Sequence, residues 1–502
     1  MLIQSLRAEW WSWLGRRDAK NGDYQSALAC FQRVLLSFPD SAYAYSNIGY
    51  CHSGLRHYEE AVKAYDRALQ ARPDYAYAHA ELGRMLVFLR RPQQAIEELN
   101  RAFRIDPKLK SKADYQLVLA SALARLGHTD QALETYKDAT RLDSCSAEAH
   151  FGVGWALYKL ERHQEAEQPL RTAIKLNPEH GDAHYHLGLV FYQLGNTGGA
   201  REALEQCIRL KPGFPEAQYC LGLVYYQENR FNEAVAAYLE AIRLRPNYSE
   251  AYYNLALAYE DLQRDEDARD AYNRAVSLSP DDFMALGNLG VLLARKGKYE
   301  DAIPIWKRVI ELKPDDPTVR VSLGWALGQT GRFREALHAY ETVLELVPDF
   351  APAYYNIGLF HWHLREYQQS IEAEKKALAI DPEKAESYCV LGLSLAALGQ
   401  HERALEAYEH SLRLKPDLPE TWHNLGELYT DMGRYGDAIR SFEKTLQLRP
   451  GHPETHHSLG EVCLKSGNAA AALEQCELLR GRDNDKERDL REQIVQSQSG
   501  RS

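Results

Sequence analysis

The feature that most constrains the fold of this chain is a repeat of 34 residues, marked by prolines that recur at that interval. Within each period, apolar residues follow the i, i+4, i+7 spacing of one helix face, which predicts two short helices per period. In residues 215–248, for example, Leu221 and Tyr225 share a face of the first helix, and Ala234 and Tyr238 lie on the second. The closing prolines are Pro39, Pro73, Pro107, Pro178, Pro212, Pro246, Pro280, Pro314, Pro348, Pro382, Pro416 and Pro450. The chain is therefore predicted to be an array of helical hairpins.

A small residue recurs once in each first helix, as a tight crossing of two helices requires. The gap between Pro107 and Pro178 equals two periods plus three residues, and the extra residues lie near 109–112. Each second helix carries alanine at one equivalent position, except where Ser370 replaces it. The small residues of the first helices are Gly15, Gly49, Gly83, Ala120, Gly154, Gly188, Gly222, Ala256, Gly290, Gly324, Gly358, Gly392, Gly426 and Gly460.

These periods resemble the tetratricopeptide repeat family, in which Leu-Gly marks the first helix, Ala and Tyr or Phe mark the second, and Pro closes the repeat. About fourteen repeats cover residues 8–486, after an extension at 1–7 and before a capping helix and flexible polar tail at 487–502. The resemblance implies an all-α fold, an α-solenoid in which antiparallel helix hairpins form a right-handed superhelix. Its first helices are expected to line a concave groove that binds protein segments. Because a solenoid adds core one repeat at a time, one continuous domain is expected.

Composition excludes several classes of function. The formal charge of −11 argues against a nucleic-acid surface, which needs clustered Lys and Arg, and it suits basic partners. The eight cysteines contain no CxxC pair, so we expect buried free thiols in a reducing, cytoplasmic compartment. No stretch is long and apolar enough to span a bilayer, and the amino end lacks the pattern of a signal peptide.

The amino end carries an extra group of apolar residues outside the repeat pattern. Leu6, Trp10 and Trp13 lie among arginines, a combination typical of a patch that contacts a membrane surface or a partner. The alternative is that the two tryptophans cap the exposed face of the first hairpin.

The first helices of repeats five to eight carry the candidate binding surface. If the face with Tyr219, Leu223 and Tyr226 lines the groove, as the resemblance implies, it continues as an apolar series through four repeats. Apolar anchors beside acids favour a partner segment with apolar side chains and nearby Lys or Arg. The alternative is that tyrosines at two of these positions only reflect the ordinary helix packing of the family. The series is Phe151, Trp155, Tyr158, Tyr185, Leu189, Tyr192, Tyr219, Leu223, Tyr226, Tyr253 and Leu257, and the acids are Glu148, Asp182, Glu216 and Glu250.

Asparagines recur just before the Leu or Ile of several first helices, at Asn254, Asn288, Asn356 and Asn424. They resemble the asparagine series in the repeat arm of O-linked GlcNAc transferases, whose amides hold a peptide backbone. In this chain the series is interrupted by Ser322 and Val390. The carboxylate clamp of chaperone-binding repeats is not expected, because the positions that need basic residues hold Tyr, Leu, Glu or Asp.

No arrangement of nucleophile, base and acid stands out from the repeats, so we expect neither an enzyme nor a cofactor. One group has the spacing of metal ligands. His423 and Glu427, and one repeat later His457 and Glu461, are i, i+4 pairs at equivalent positions. The alternative to a divalent metal site is a row of His/Glu contacts on helix surfaces.

The leading functional hypothesis is a non-enzymatic scaffold or adaptor that binds partner segments in the groove. A second hypothesis is a substrate-recruiting arm for a separately encoded glycosyltransferase. A third is peripheral membrane or envelope assembly through the tryptophan patch.

Overall fold

The computed structural model of the chain describes residues 2–499, and all the regular secondary structure in that range is helical. Within this range, twenty-nine α-helices and one short 3₁₀-helix follow one another, a number consistent with about fourteen helix hairpins. The predicted all-α fold of paired antiparallel helices is confirmed. Contacts between Cα atoms divide the chain into two compact units, Met1–Arg264 and Asp265–Ser502. Met1 and residues 500–502, which include the end of the predicted polar tail, lie outside the described residues.

The first unit contains the helices of the first seven repeats and the first helix of the eighth. Their bounds are α1 (Leu2–Lys20), α2 (Tyr24–Ser37), α3 (Ala42–Gly54), α4 (Tyr58–Ala71), α5 (Ala76–Phe88), α6 (Pro92–Ile105), α7 (Ala113–Arg125), α8 (Thr129–Leu142), α9 (Ala147–Lys159), α10 (His163–Leu176), α11 (Gly181–Gln193), α12 (Thr197–Leu210), α13 (Pro215–Gln227), α14 (Phe231–Leu244) and α15 (Ser249–Asp261).

The second unit contains the remaining repeats and a final single helix. Its helices are α16 (Asp265–Leu278), α17 (Phe283–Arg295), α18 (Tyr299–Leu312), α19 (Pro317–Gln329), α20 (Phe333–Leu346), α21 (Ala351–His363), α22 (Tyr367–Ile380), α23 (Ala385–Ala397), α24 (His401–Leu414), α25 (Pro419–Asp431), α26 (Tyr435–Leu448), α27 (Pro453–Lys465), α28 (Ala469–Leu479) and α29 (Asn484–Ser499).

The turn inside each hairpin is short and uses one residue in the left-handed region. In repeat seven this residue is Asn229, whose φ is 58°. Its N–H donates to the Tyr226 carbonyl at 2.9 Å, and the Arg230 N–H donates to the Tyr225 carbonyl at 2.9 Å. These two bonds form a Schellman motif, which satisfies the last carbonyls of α13 and reverses the chain into α14.

The recurrent glycines lie where the two helices of a hairpin cross. A Cβ atom on Gly222 would lie 2.5 Å from the ring of Tyr238, so only glycine lets α13 and α14 approach this closely. Equivalent glycines meet Tyr65, Tyr340, Tyr408 and Phe442. The predicted tight crossing is confirmed, and the residue that fills it is usually a fully buried aromatic ring.

The extra residues near 109–112 form a structural element of their own. Residues 109–111 belong to a 3₁₀-helix, Pro107–Ser111, and Lys112 caps its end. The N-cap residue is Asp106, whose side chain accepts from the Lys108 N–H at 3.1 Å. Leu109 is buried with Leu99 and Tyr115. The insertion therefore contributes to the core between repeats three and four.

The last hairpin is covered by the single helix α29. Leu490 and Ile494 are buried in the same cluster as residues of α26, α27 and α28. Leu490 lies against Gly460, whose counterparts in several other repeats meet an aromatic ring. This helix thus closes the apolar face that the final repeat would otherwise expose.

Candidate peptide-binding surface

Four first helices of the first unit, α9, α11, α13 and α15, carry the predicted apolar series. All eleven side chains are half-buried, which leaves part of each available to a partner. Most of those on α9, α11 and α13 pack against one buried cluster of Val, Leu, Ala and Phe residues. We call the eleven residues the aromatic surface.

Neighbouring first helices are connected through this surface by side-chain contacts. The Tyr185 hydroxyl lies 3.8 Å from the Cys220 Sγ, and Asn254 Nδ2 donates to the Tyr219 hydroxyl at 3.0 Å. Both contacts join residues 35 positions apart, one period plus one. Because the contacts repeat, they hold successive tyrosines in a fixed orientation.

His186 also lies in the middle of the surface, and it was not among the residues predicted from the sequence. Its ring centroid is 5.4 Å from that of Phe151, 5.1 Å from that of Tyr185 and 6.0 Å from that of Tyr158. Its Nδ1 lies 2.9 Å from the Asp182 carbonyl. Burial lowers the pKa of His186, so the ring is neutral at physiological pH and acts as part of an aromatic group.

A second row of aromatic residues borders the surface and was not predicted. His180, Phe214 and Tyr248 are the residues just before α11, α13 and α15. They lie beside Phe151, Tyr185 and Tyr219 of the preceding first helices, with centroid distances of 4.7, 4.8 and 5.0 Å, respectively. We call these three residues the rim. Their spacing of 34 was a signal in the sequence, but they fall in loops, outside the helical pattern.

Burial also raises the pKa of three other groups at or under the surface. It raises the pKa of Tyr219 to about 12 and that of the Cys220 thiol to about 11. The pKa of Tyr192 is raised for the same reason. At neutral pH these groups therefore present hydroxyl and thiol hydrogens on a mainly apolar surface.

Two of the four predicted acids are paired within their own repeat. Lys211 Nζ lies 2.6 Å from Asp182 Oδ2, and Arg245 contacts Glu216. Each pair joins the start of a first helix to the end of the second helix. Glu148 and Glu250 are exposed, and Glu148 lies 3.5 Å from the His180 Nε2. The acids therefore stabilise the hairpins as well as setting the local charge.

The predicted asparagines are all half-buried. Asn254 donates to the Glu250 carbonyl at 2.9 Å in addition to Tyr219, and Asn356 donates to the Pro352 carbonyl at 2.7 Å. Asn424 Nδ2 lies 3.5 Å from the Cys389 Sγ, and Asn288 lies on α17 of the second unit. In Asn254, Asn356 and Asn424, amide hydrogens are thus used within the chain. Between these residues, Ser322 donates to the Thr318 carbonyl at 3.1 Å and Val390 is buried.

The second unit has a cavity of about 380 Å³ on the corresponding first helices, α21, α23 and α25. Its lining includes the apolar side chains of Leu359, Val390 and Leu393 and the ring of His423. Two acids at its edge are paired like those of the first unit, with Lys415 Nζ 3.3 Å from Glu386 Oε1 and Arg449 Nη2 2.5 Å from Glu420 Oε1.

The structure separates the four predicted metal ligands into two groups. His423 Nε2 lies 3.2 Å from Glu427 Oε1, and its Nδ1 lies 2.9 Å from the Thr455 hydroxyl. His457 and Glu461 instead share a site with Asp489 of α29. Sequence reasoning missed Asp489 because it lies outside the repeats.

Consecutive hairpins and a surface on their first helices define an all-α helical-repeat protein. A family model described as "TPR repeat" matches residues 154–195, 190–228, 222–263 and 392–433. Models described as "Tetratricopeptide repeat" match residues 14–53, 117–173 and 321–385, residues 281–349 and 417–477, and residues 42–75, 249–282 and 76–109. The chain belongs to the tetratricopeptide repeat family, as predicted. Proteins of this family are typically protein-binding scaffolds without catalytic activity.

Several solved structures resemble parts of the chain. YrrB, described as a TPR protein with an unusual peptide-binding site, is 26% identical over 38% of this chain and 96% of its own, with a TM-score of 0.34. The Cut9–Hcn1 hetero-tetramer of APC/C is 14% identical over 90% of this chain and 96% of that chain, with a TM-score of 0.41. PilF of Pseudomonas aeruginosa is 25% identical over 41% of this chain and 92% of its own, with a TM-score of 0.37. A comparison with curated proteins found no match.

Among residues 2–499, no helix combines the length and the apolar character that crossing a membrane requires.

Proposed function

We propose that this protein is a non-enzymatic scaffold that binds a segment of a partner protein on the aromatic surface. The observation that carries the proposal is the set of periodic contacts, Tyr185 to Cys220 and Tyr219 to Asn254, that orients half-buried tyrosines before any partner binds. A surface already ordered in this way loses little conformational entropy on binding. Aromatic residues in such positions are the usual anchors of protein interfaces.

The chemistry of the surface indicates what the partner segment carries. Apolar side chains would fill the spaces between the neutral aromatic residues. Glu148 and Glu250 are exposed beside the surface, and the chain has a formal charge of −11. We therefore expect Lys or Arg near the apolar residues of the partner, where they speed association and improve specificity more than they raise affinity.

The test uses peptides selected from a random display library against the full chain. Affinities are then measured by fluorescence polarisation for the wild type and for Tyr219→Ala/Leu223→Ala. We expect this double substitution to weaken binding at least about tenfold, since it removes two adjacent anchors. The matched control is Leu210→Ala/Leu239→Ala, which removes two exposed leucines of the second helices α12 and α14.

Equal loss of affinity in the control pair, or none in Tyr219→Ala/Leu223→Ala, would reject the aromatic surface as the site. Replacing the basic residues of a selected peptide by Gln should slow association, and added salt should reduce that difference.

A second candidate function is favoured by the exposure of the amino-terminal patch. Leu6, Trp10 and Trp13 are 59%, 52% and 53% exposed and follow one face of α1, and the guanidinium of Arg17 lies 5.5 Å from the Trp13 ring centroid. Such a face suits a membrane surface with anionic lipids. Co-sedimentation with vesicles that contain phosphatidylserine tests it: Trp10→Ala/Trp13→Ala should reduce the bound fraction, and equal sedimentation of both proteins would exclude this role.

A further inference from the structure

Three side chains that can ligate a metal meet where the final helix packs on the last repeat. His457 and Glu461 are one helical turn apart on α27, and Asp489 lies on α29. One ligand atom from each lies within 4.8 Å of the other two. The side chain of His457 is 18% exposed and that of Asp489 is 58% exposed, so an ion can reach the site from solvent.

The polar contacts within this group already point partial positive charge at the carboxylates. His457 Nε2 lies 2.8 Å from Asp489 Oδ2. Gln493 Nε2 donates to Glu461 Oε1 at 3.0 Å and to Asp489 Oδ2 at 3.1 Å. The two carboxylates thus already face partial positive charges from an amide and an imidazole. A cation in the same place would interact with the carboxylates more strongly than these partial charges do.

The backbone around the site is held by the apolar contacts of α29. Leu490 follows Asp489 directly and is fully buried against Gly460, which precedes Glu461. Ile494, next to Gln493, is also buried. Because both helices are anchored beside the ligands, only side-chain adjustments are needed to bring the three donor atoms to one ion.

We propose that His457, Glu461 and Asp489 bind a divalent transition metal of the Zn²⁺ class, which connects α29 to the last repeat. Around a tetrahedral ion with bonds of about 2.0 Å, donor atoms lie about 3.3 Å apart. In this group His457 Nε2 and Asp489 Oδ2 are 2.8 Å apart, and all three donor atoms lie within 4.8 Å of one another. An imidazole nitrogen suits Zn²⁺, whereas Ca²⁺ and Mg²⁺ prefer oxygen ligands only. Two carboxylates balance the charge of the ion, and water takes the fourth position.

The chain contains a matched control for this proposal. His423 and Glu427 form the same i, i+4 pair one repeat earlier, with His423 Nε2 3.2 Å from Glu427 Oε1. There the residue that approaches the histidine from the next element is Thr455, which contacts Nδ1 at 2.9 Å, rather than a carboxylate. His423→Gln therefore removes an equivalent histidine without removing the proposed site.

The experiment titrates Zn²⁺ into the untagged full chain by isothermal calorimetry, with variants His457→Gln, Asp489→Asn and His423→Gln. We expect the wild type to bind one equivalent of Zn²⁺. The variants His457→Gln and Asp489→Asn should bind it at least about tenfold more weakly, and His423→Gln should bind it as tightly as the wild type. Zn²⁺ should raise the Tm of the wild type and of His423→Gln more than it raises the Tm of His457→Gln and Asp489→Asn. Circular dichroism without metal checks that each variant is folded. If Asp489→Asn does not fold, the Zn²⁺ affinity of His457→Gln decides the test.

Titration with Co²⁺ adds a spectroscopic readout, because Cys463 and Cys476 are buried in the same cluster as Leu490. The proposed site predicts the visible absorption of tetrahedral Co²⁺ without a thiolate charge-transfer band. A thiolate band, equal Zn²⁺ affinity in wild type and Asp489→Asn, or equal loss in His423→Gln would overturn the proposal.

Discussion

The hairpins of repeats seven and eleven have helices of the same lengths, 13 and 14 residues, and differ in what fills the crossing between them. In repeat seven the ring of Tyr238 lies against Gly222. In repeat eleven the side chain of Glu374, at the equivalent position, lies against Gly358. Both Tyr238 and Glu374 are fully buried.

The comparison shows that the small residues, rather than the large one, determine the hairpin geometry. Glycine on the first helix permits the close approach, and an aromatic ring or a carboxyl group can then occupy the same space. The free-energy cost of burial differs between the two groups, because a buried carboxylate loses its hydration and an aromatic ring has little to lose. Burial accordingly raises the pKa of Glu374 from its ordinary value of 4.5 to about 9, so the group is neutral at physiological pH.

The largest expected effect that separates the two hairpins is on the pH dependence of stability. The pKa of Glu374 is raised on folding, so between pH 4.5 and about 9 the folded protein binds a proton that the unfolded chain releases. The free energy of unfolding should therefore fall by about 1.4 kcal/mol per pH unit as pH rises through this window. Below pH 4.5 the Glu374 carboxyl is protonated in both states, so this loss of stability disappears.

Glu374→Gln removes the titrating group and should flatten that part of the profile. Urea unfolding followed by circular dichroism at several pH values measures both slopes. Tyr238→Phe is the matched substitution in repeat seven and should leave the slope unchanged. Identical slopes for wild type and Glu374→Gln would show that Glu374 is ionised in the folded protein.

The second effect concerns the glycines themselves. Gly222→Leu should destabilise the protein by about 1–3 kcal/mol, because the added side chain must displace the rigid ring of Tyr238. Gly358→Leu should cost less, since the neighbouring atoms are the flexible end of Glu374. Thermal unfolding of both variants tests the order, and a larger loss for Gly358→Leu would reverse the conclusion about which crossing is more rigid.

The smallest effect lies at the alanine position of the second helix. Repeat seven has Ala234, whereas the buried hydroxyl of Ser370 in repeat eleven lies 2.7 Å from the buried hydroxyl of Ser394 on α23 of the next repeat. Ser370→Ala should cost about 1 kcal/mol, since it leaves Ser394 without this partner, and Ser370→Ala/Ser394→Ala should recover most of the loss. A double-mutant cycle with no coupling energy would show that the bond does not contribute to stability.

Much of the fold followed from the sequence because its signals are local. The 34-residue spacing predicted the hairpins and the close approach at Gly222, and both are confirmed. Ser370 was recognised as an exception at the alanine position, but Glu374 was missed, although comparison with Tyr238, Tyr340 and Tyr408 at the same register would have revealed it. The peptide-binding role of the aromatic surface stays a prediction.

The sequence by itself determined which residues share a helix face, because helical periodicity depends only on neighbours within two or three turns. Only the tertiary structure decided which side chains meet across helices: Lys211 with Asp182, the rim residue Phe214 with Tyr185, and Asp489 with His457. These partners lie about 30 residues apart, and whether they touch depends on how the helices of one hairpin, and successive helices beyond it, pack on one another. That packing is set by the shapes of many buried side chains together, which no local pattern records.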